Sequence, residues 1–241
     1  MLQRAAVLAG LLSVVAASAR TQETDTGGIS WSGQVGLASG LVYRGIRLND
    51  ETLVPDLDIA IEHASGLYLN GWLTRVELPQ PAYYAGADSM WQTVLGAGYN
   101  WRVSPAWTLS LAHNWYLYSD ALPERRPDYR EWLLSADYNN LLVFDYSHAK
   151  DWWGLEGDQD TLSVGIHWPF SPRLIGAATL GLVEQEGHYQ DSYRYLRLNL
   201  GYLLARDWSV QLQYHDSFGV GDFYRNAAAS REWVAQVSWY W

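Results

Sequence analysis

The sequence predicts an all-β fold, a transmembrane antiparallel β-barrel of about twelve strands with short periplasmic turns and longer extracellular loops. The prediction rests on the last strand, on the aromatic composition and on a series of alternating segments. In residues 232–241 one face is wholly apolar or aromatic and carries Trp233, Ala235, Val237, Trp239 and Trp241. Successive side chains of a strand point to opposite faces, so this strand suits lipid on one side and water or packed polar groups on the other.

The aromatic residues are mostly of the kinds that favour a membrane–water interface. The chain has 14 Trp and 17 Tyr but only 4 Phe. Trp and Tyr combine an apolar ring with a polar tip, which places them at the headgroup level of a bilayer. After residue 19, no apolar run approaches the roughly 18 residues of a membrane-spanning helix. A closed barrel is the other structure that satisfies every backbone group in lipid.

The first nineteen residues have the features of a secretory signal peptide. Arg4 provides the positive start, an apolar stretch follows, and Ala17-Ser18-Ala19 is an A-x-A cleavage site. We therefore expect residues 1–19 to be a signal peptide, 20–29 a flexible periplasmic leader and 30–241 the barrel. The chain is thus predicted to be exported to the outer membrane of a Gram-negative bacterium.

Charge and cysteine content exclude several classes of function. The chain has no cysteine, so it must be stable without disulfides and cannot hold a metal through thiolates. Its formal net charge is −10, and loss of Arg4 with the signal peptide would leave −11. Nucleic-acid binding needs a basic surface, so we expect no nucleic-acid partner.

Alternating segments divide the predicted barrel into twelve strands. Their ranges are 30–45, 54–62, 67–78, 90–102, 107–118, 130–138, 141–149, 161–168, 174–184, 193–203, 208–217 and 232–241. An even number is typical of a single-chain bacterial barrel with both ends on the periplasmic side. The connections alternate between short turns, such as Asn139-Asn140, and longer loops, such as 218–231. Because even the longer loops are modest, we expect no large plug.

In most strands the alternation also predicts which side chains face lipid. In the strand 208–217, the expected lipid-facing set is Trp208, Val210, Leu212 and Tyr214, and the expected inward set is Ser209, Gln211, Gln213 and His215. An inverted register would place Arg197 in hydrocarbon, at a cost of about 2 kcal/mol or more. The pattern does not decide the register at 67–78 or 174–184. It places His113 on the lipid face, where we expect it near an interface.

Two short motifs in residues 32–72 are distinctive. Tyr43-Arg44-Gly45-Ile46 ends the first predicted strand, and Ser65-Gly66-Leu67-Tyr68 forms a turn before Gly71-Trp72. Both resemble the TorF family of porins, whose first strand ends in an aromatic-Arg-Gly-Ile run. Arg47 departs from that family, whose members commonly carry Ser after Gly-Ile. The resemblance implies a porin-like barrel, and it supplies neither catalytic residues nor a solute.

Seven charged side chains are predicted to line the barrel interior. They are Arg44, Asp56, Asp58, Glu62, Asp137, Asp145 and Arg197. If the lumen is open, opposed charges would form a narrow aqueous constriction, and the acidic excess would favour cations modestly. The alternative is that Arg44 pairs with Asp56 or Asp58 across the first hairpin and simply fills the barrel. Twelve strands enclose a narrow lumen compared with sixteen-stranded porins, so inward aromatic side chains could also close it.

The predicted function is passive diffusion of small hydrophilic solutes or ions, with no cofactor and no metal site. The alternatives are a non-transporting structural barrel and, with less support, a soluble lipocalin-type barrel. A further alternative is a lipid hydrolase, because His215 and Ser217 lie two residues apart on one strand face. The predicted register turns His215 inward, away from lipid, so we predict that the protein is not an enzyme. The expected partners are outer-membrane lipid and the barrel-assembly machinery, which would recognise the C-terminal strand ending in Trp241.

Overall fold

The computed structural model describes residues 28–49, 53–78, 90–119, 126–187 and 190–241. The predicted signal peptide, and the predicted leader as far as residue 27, lie outside these residues. Among the described residues, no helix has the length and apolar character needed to cross a membrane.

The described residues form twelve antiparallel strands that close into a barrel, as predicted, and a separate small hairpin. The strands are β1 (Ile29–Ala38), β2 (Val42–Tyr43), β3 (Ile46–Arg47), β4 (Val54–His63), β5 (Leu67–Val76), β6 (Met90–Arg102), β7 (Trp107–Tyr118), β8 (Tyr129–Tyr138), β9 (Leu142–Lys150), β10 (Gln159–Ser171), β11 (Leu174–Gln185), β12 (Asp191–Leu203), β13 (Trp208–Phe218) and β14 (Glu232–Tyr240). Strands β2 and β3 form the hairpin, and the other twelve pair in chain order. Strand β1 pairs with both β4 and β14, which closes the barrel.

The alternation of side chains along the strands is confirmed. In β13, Trp208 is 47% exposed on the outside, whereas the side chain of Ser209 is fully buried inside. The structure also decides the two registers that the pattern left open. Leu69 of β5 and Leu180 of β11 face outward. His113 lies on the outer face with its ring against Trp115 and Trp132, and its position near an interface stays a prediction.

Short turns join the strands at one end of the barrel and longer connections join them at the other. At the short-turn end, Asn139 and Asn140 have φ values of +53° and +56°, which is the pattern of a type I′ hairpin turn. Exposed tryptophans surround this end, namely Trp31, Trp101, Trp107, Trp168, Trp208 and Trp239. A smaller set, Trp91, Trp132 and Trp233, lies nearer the long-loop end. These two girdles are typical of a barrel that crosses a bilayer.

The first strand is shorter than predicted. Strand β1 ends at Ala38 rather than at residue 45, and residues 39–49, which we call the inner segment, turn into the barrel. Ser39 still touches the wall, because its backbone N–H donates to the Ala235 carbonyl at 2.8 Å. Strands β2 and β3 then form a hairpin around Arg44 and Gly45, whose φ values of +48° and +79° again fit a type I′ turn. The expected first strand of 30–45 is therefore wrong in its last part, which forms a small inward hairpin instead of barrel wall.

Candidate channel lumen

The inner segment crosses the long-loop half of the lumen. Its apolar side chains Tyr43, Ile46 and Leu48 are almost completely buried. Ile46 also pairs with Ala228 in an isolated β-bridge, which joins the inner segment to the connection between β13 and β14. The segment is therefore packed between the barrel wall and an inward-folded loop.

Arg44, at the tip of this hairpin, reaches the opposite wall of the barrel. Its Nη2 lies 2.5 Å from Glu131 Oε1 on β8 and donates to Ser147 Oγ on β9 at 2.9 Å. Its Nη1 donates to Gln159 Oε1 on β10 at 3.3 Å. Burial by itself lowers the pKa of Arg44, but Glu131 and the surrounding tyrosine hydroxyls together more than offset this, and the pKa lies above its ordinary value. Arg44 is therefore held as a cation by three neighbouring strands.

Aromatic rings surround this ion pair. The guanidinium carbon of Arg44 lies 4.7 Å from the centre of the Tyr43 ring and 5.7 Å from that of Trp152, both within cation–π range. Tyr116 donates a hydrogen bond to the other carboxylate oxygen of Glu131 at 2.9 Å. Both partners of the ion pair thus keep hydrogen bonds or ring contacts in place of the water that they have lost.

Two inward-folded loops complete the packing. The short 3-10 turn Trp152–Gly154 carries Trp152, whose indole N–H donates to the Tyr224 hydroxyl at 3.2 Å. The indole of Trp153 donates to the Tyr118 hydroxyl at 3.1 Å. Burial raises the pKa of Tyr224 above its ordinary value. The long-loop half of the interior is therefore a packed aromatic core, here called the aromatic cluster, with Tyr43, Tyr116, Tyr118, Tyr129, Trp152, Trp153, Tyr193 and Tyr224 among its members.

The short-turn half of the interior is different in character. Many of its inward side chains are small or polar, among them Gly98, Ser135, Gly165, Gly201, Ser209 and Gln211. Asp145 accepts hydrogen bonds from Ser135 Oγ at 2.5 Å and from Ser163 Oγ at 3.3 Å. Asp56 lies closer to the long-loop end of β4 and accepts hydrogen bonds from the side-chain amides of Gln34 at 3.3 Å and Gln236 at 3.1 Å. Small side chains and hydrogen-bonded carboxylates give this half a polar surface.

All seven charged residues selected from the sequence lie inside the barrel, although they do not form one ring. Glu62 accepts from Asn100 at 3.4 Å, and Asp137 accepts from the backbone N–H of Asn140 in a short turn, at 2.9 Å. Both lie near the short-turn end, whereas Arg197 lies in the middle of β12 and donates to Thr179 Oγ1 at 3.4 Å. The charges are thus spread along the barrel axis, and their lining of a conducting pore stays a prediction.

The alternative in which Arg44 pairs with Asp56 or Asp58 is wrong, because Arg44 pairs with Glu131. The inner segment leaves the wall after Ala38 and carries Arg44 past the first hairpin to Glu131. Glu131 is not among the residues selected from the sequence, because nothing in the local sequence of β8 indicates which distant residue an inward carboxylate would pair with. A signal for the inner segment does exist in the sequence. The predicted strand 30–45 is much longer than its partner 54–62, and Gly40 interrupts it.

The residues of the hydrolase alternative do not form a catalytic pair. His215 Nε2 lies 3.1 Å from Gln213 Oε1, whereas Ser217 Oγ donates to the Gly45 carbonyl at 2.6 Å. Both side chains lie on the inward face of β13, away from lipid. Within the described ranges, no group of three or more His, Asp or Glu side chains is placed to hold a metal ion.

The chain belongs to the bacterial protein family of unknown function Gcw_chp, whose model matches residues 22–240. No curated protein matches its sequence. Among solved structures, the fold is similar to the KdgM porin, with 12% identity and a TM-score of 0.52 over 87% of this chain and 98% of that one. It is also similar to the NanC porin, with 10% identity and a TM-score of 0.56 over 86% of this chain and 97% of that one. At these identities the similarity shows the fold, a closed antiparallel barrel resembling outer-membrane porins.

Proposed function

We propose that this Gcw_chp family member is an outer-membrane channel for passive diffusion of small hydrophilic solutes or ions, closed in its outer half by the inner segment. The observation that carries the proposal is the division of the lumen. A polar short-turn half leads up to a packed half, and the centre of that packed half is a hairpin rather than a barrel strand. A hairpin can move without breaking the ladders of the barrel wall, so the closed half can open while the barrel stays intact.

The charges of the lumen favour cations. Glu131 neutralises Arg44, and in the described residues Arg197 lies among a larger number of inward carboxylates, namely Asp56, Asp58, Glu62, Asp137 and Asp145. Rings and clusters of carboxylates select cations in pores. The KdgM porin has also been solved in complex with disordered oligogalacturonate, with 11% identity and a TM-score of 0.53 over 87% of this chain and 97% of that one. The acidic lumen found here does not favour that kind of anionic solute.

The barrel fold and the two aromatic girdles support a location in the outer membrane of a Gram-negative bacterium. On this proposal, the exposed faces contact lipid, and the assembly machinery recognises the C-terminal strand ending in Trp241. The resemblance of two short motifs to the TorF family of porins supports the same role and stays a prediction.

Single-channel recording tests this function. The purified, refolded protein is placed in a planar bilayer with a salt gradient, and the intact chain is compared with Arg44→Ala. We expect brief openings with a cation-biased reversal potential for the intact chain. Arg44→Ala should open more often or for longer, because the hairpin loses its anchor on the far wall.

Arg206→Ala is the control, since Arg206 lies in an exposed short turn and pairs only loosely with Asp207, at 4.0 Å. Unchanged conductance and ion preference in Arg44→Ala would contradict the proposal.

A non-transporting structural barrel is the second candidate, and the aromatic cluster favours it. Tyr116 and Tyr224 are fully buried in the long-loop half of the lumen, and Trp152 is nearly so. This candidate predicts that both the intact chain and Arg44→Ala insert as folded, heat-modifiable barrels and conduct no current.

A further inference from the structure

Two cations lie side by side on the outside of the barrel near its long-loop end. Arg130 of β8 and Lys150 of β9 are directly opposed in the register of the two strands. Both side chains are exposed. In the part of the chain that the structure describes, neither has a carboxylate within 4 Å. Like charges placed directly opposite each other destabilise a sheet, so an anion between them would relieve a repulsion that is built into the wall.

The surface below this pair changes in steps from polar to apolar. The next outward pair towards the middle of the barrel is Trp132 and His148, followed by Leu134 with Tyr146. Trp132 and Leu134 are 52% and 51% exposed. We call Arg130, Lys150 and the pairs below them the cationic ladder. A headgroup-level charge above an exposed aromatic and aliphatic surface matches the order of groups along a lipid molecule.

The acidic residues nearest the cationic ladder contact its lower pairs rather than Arg130 or Lys150. Asp160 of β10 lies 3.1 Å from His148 Nδ1 and accepts from the Tyr146 hydroxyl at 2.6 Å. Asp158 lies 3.8 Å from His148 Nε2. These carboxylates are therefore directed towards the histidine, and in the described residues neither of them forms an ion pair with Arg130 or Lys150.

We propose that the cationic ladder binds the phosphorylated headgroup of an outer-leaflet lipid, with its acyl chains along Trp132 and Leu134. The guanidinium of Arg130 and the ammonium of Lys150 would each donate charge-assisted hydrogen bonds to phosphate oxygens. The chain as a whole carries a net charge of −10, so this attraction is local and fixes one position on the wall. The inference rests on the outer-membrane location given in the proposed function, and it does not require that the barrel conducts ions.

Native mass spectrometry of the detergent-solubilised, refolded protein, titrated with bisphosphorylated lipid A, tests the inference. The intact chain is compared with the double variant Arg130→Gln/Lys150→Gln. Each basic residue near an anionic lipid surface contributes about one kcal/mol, so the double variant should bind roughly thirtyfold more weakly. Lipid A with a single phosphate should bind the intact chain more weakly than the bisphosphorylated form.

Arg194→Gln is the matched control. Arg194 also faces outward near the long-loop end, but its register partners are the uncharged Leu182 and Phe218. The control should bind lipid A as the intact chain does, and heat-modifiable migration in gels verifies that each variant is folded.

Equal affinity in the double variant, or an equal loss in Arg194→Gln, would overturn the assignment. Displacement of lipid A by an equal concentration of inorganic phosphate would also overturn it, because the surface would then bind a free anion. If single-channel recording shows no openings while lipid A still binds, the proposed channel function is contradicted and this inference is not.

Discussion

The two halves of the barrel interior are built by the same strands and differ in almost every other respect. Strand β8 places Ser135 and Asp137 in the short-turn half, but Tyr129 and Glu131 in the long-loop half. On the lipid side, β8 is apolar at Trp132 and Leu134, and its outward cation Arg130 lies at the long-loop end. Strand β8 therefore changes the chemistry of its inner face halfway along, while lipid constrains most of its outer face. Side chains and an inward hairpin, rather than the number of strands, decide whether the lumen is closed.

This comparison separates two kinds of residue. In the long-loop half, inward side chains lose water and must be matched to one another, so substitutions there should change stability first. In the short-turn half, inward side chains face a polar space, so substitutions there should change permeation with little effect on stability.

The largest expected effect is that of Glu131→Ala. This change leaves Arg44 buried without its counter-ion, and breaking a buried pair in this way costs about 3–5 kcal/mol. The free energy of unfolding, measured in urea with the barrel in lipid vesicles, checks the prediction. The double variant Arg44→Met/Glu131→Met is the control, because it removes both charges and should regain most of the loss. A cost below about 1 kcal/mol for Glu131→Ala, as for an exposed ion pair, would contradict the packed long-loop half.

Gly45→Ala should have the next largest effect. Gly45 has a φ of +79°, and an added Cβ would lie 2.6 Å from the Cβ of Tyr195. Strain and overpacking together should cost about 2–4 kcal/mol in the same unfolding measurement. Gly219→Ala is matched in backbone, with a φ of +73°, but nothing lies within 4 Å of its added Cβ. It should cost only about 1–2 kcal/mol, and equal costs at the two glycines would mean that the inner segment is not tightly packed.

The smallest expected effect on stability is that of Asp145→Asn in the short-turn half. The new amide oxygen can still accept from Ser135, so the free energy of unfolding should change by about 1 kcal/mol or less. The cation bias of the reversal potential should fall, because a lumen carboxylate is lost. Asp207→Asn, in an exposed turn, should leave the bias unchanged. A loss of stability in Asp145→Asn as large as that in Glu131→Ala would remove the distinction between the two halves.

The sequence alone predicts the barrel wall because lipid imposes a strict pattern on it. Each strand must alternate, and a wrong register would place Arg197 in hydrocarbon, so the pattern in β12 and β13 can be read directly. The inner segment has no such constraint. Leu41, Tyr43 and Ile46 are as apolar as wall residues, and their local sequence continues the alternation of β1 without a break in hydrophobicity.

The contacts of the lumen are not predictable in the same way because they join distant parts of the chain. Arg44 meets Glu131 only when a hairpin turns inward and spans the barrel. The pairing of Trp152 with Tyr224 likewise requires two separate loops to fold towards the same axis. Two features of the sequence indicate this arrangement in advance. The predicted strand 30–45 is much longer than its partner 54–62, and Gly40 lies within it.

The most direct test of the central claim is the conductance of a barrel that lacks its inner segment. Ala38 and Val54 are register partners at the ends of β1 and β4, and Ser39 is kept because it bonds to Ala235 on the wall. A short Gly-Ser turn can then replace the residues between Ser39 and Val54 while the strands of the wall stay paired. The shortened barrel, verified as folded by heat-modifiable migration, should show a larger and more persistent cation-biased conductance than the intact chain in the same planar bilayer. An unchanged conductance would contradict the claim that the inner segment closes the outer half of the lumen.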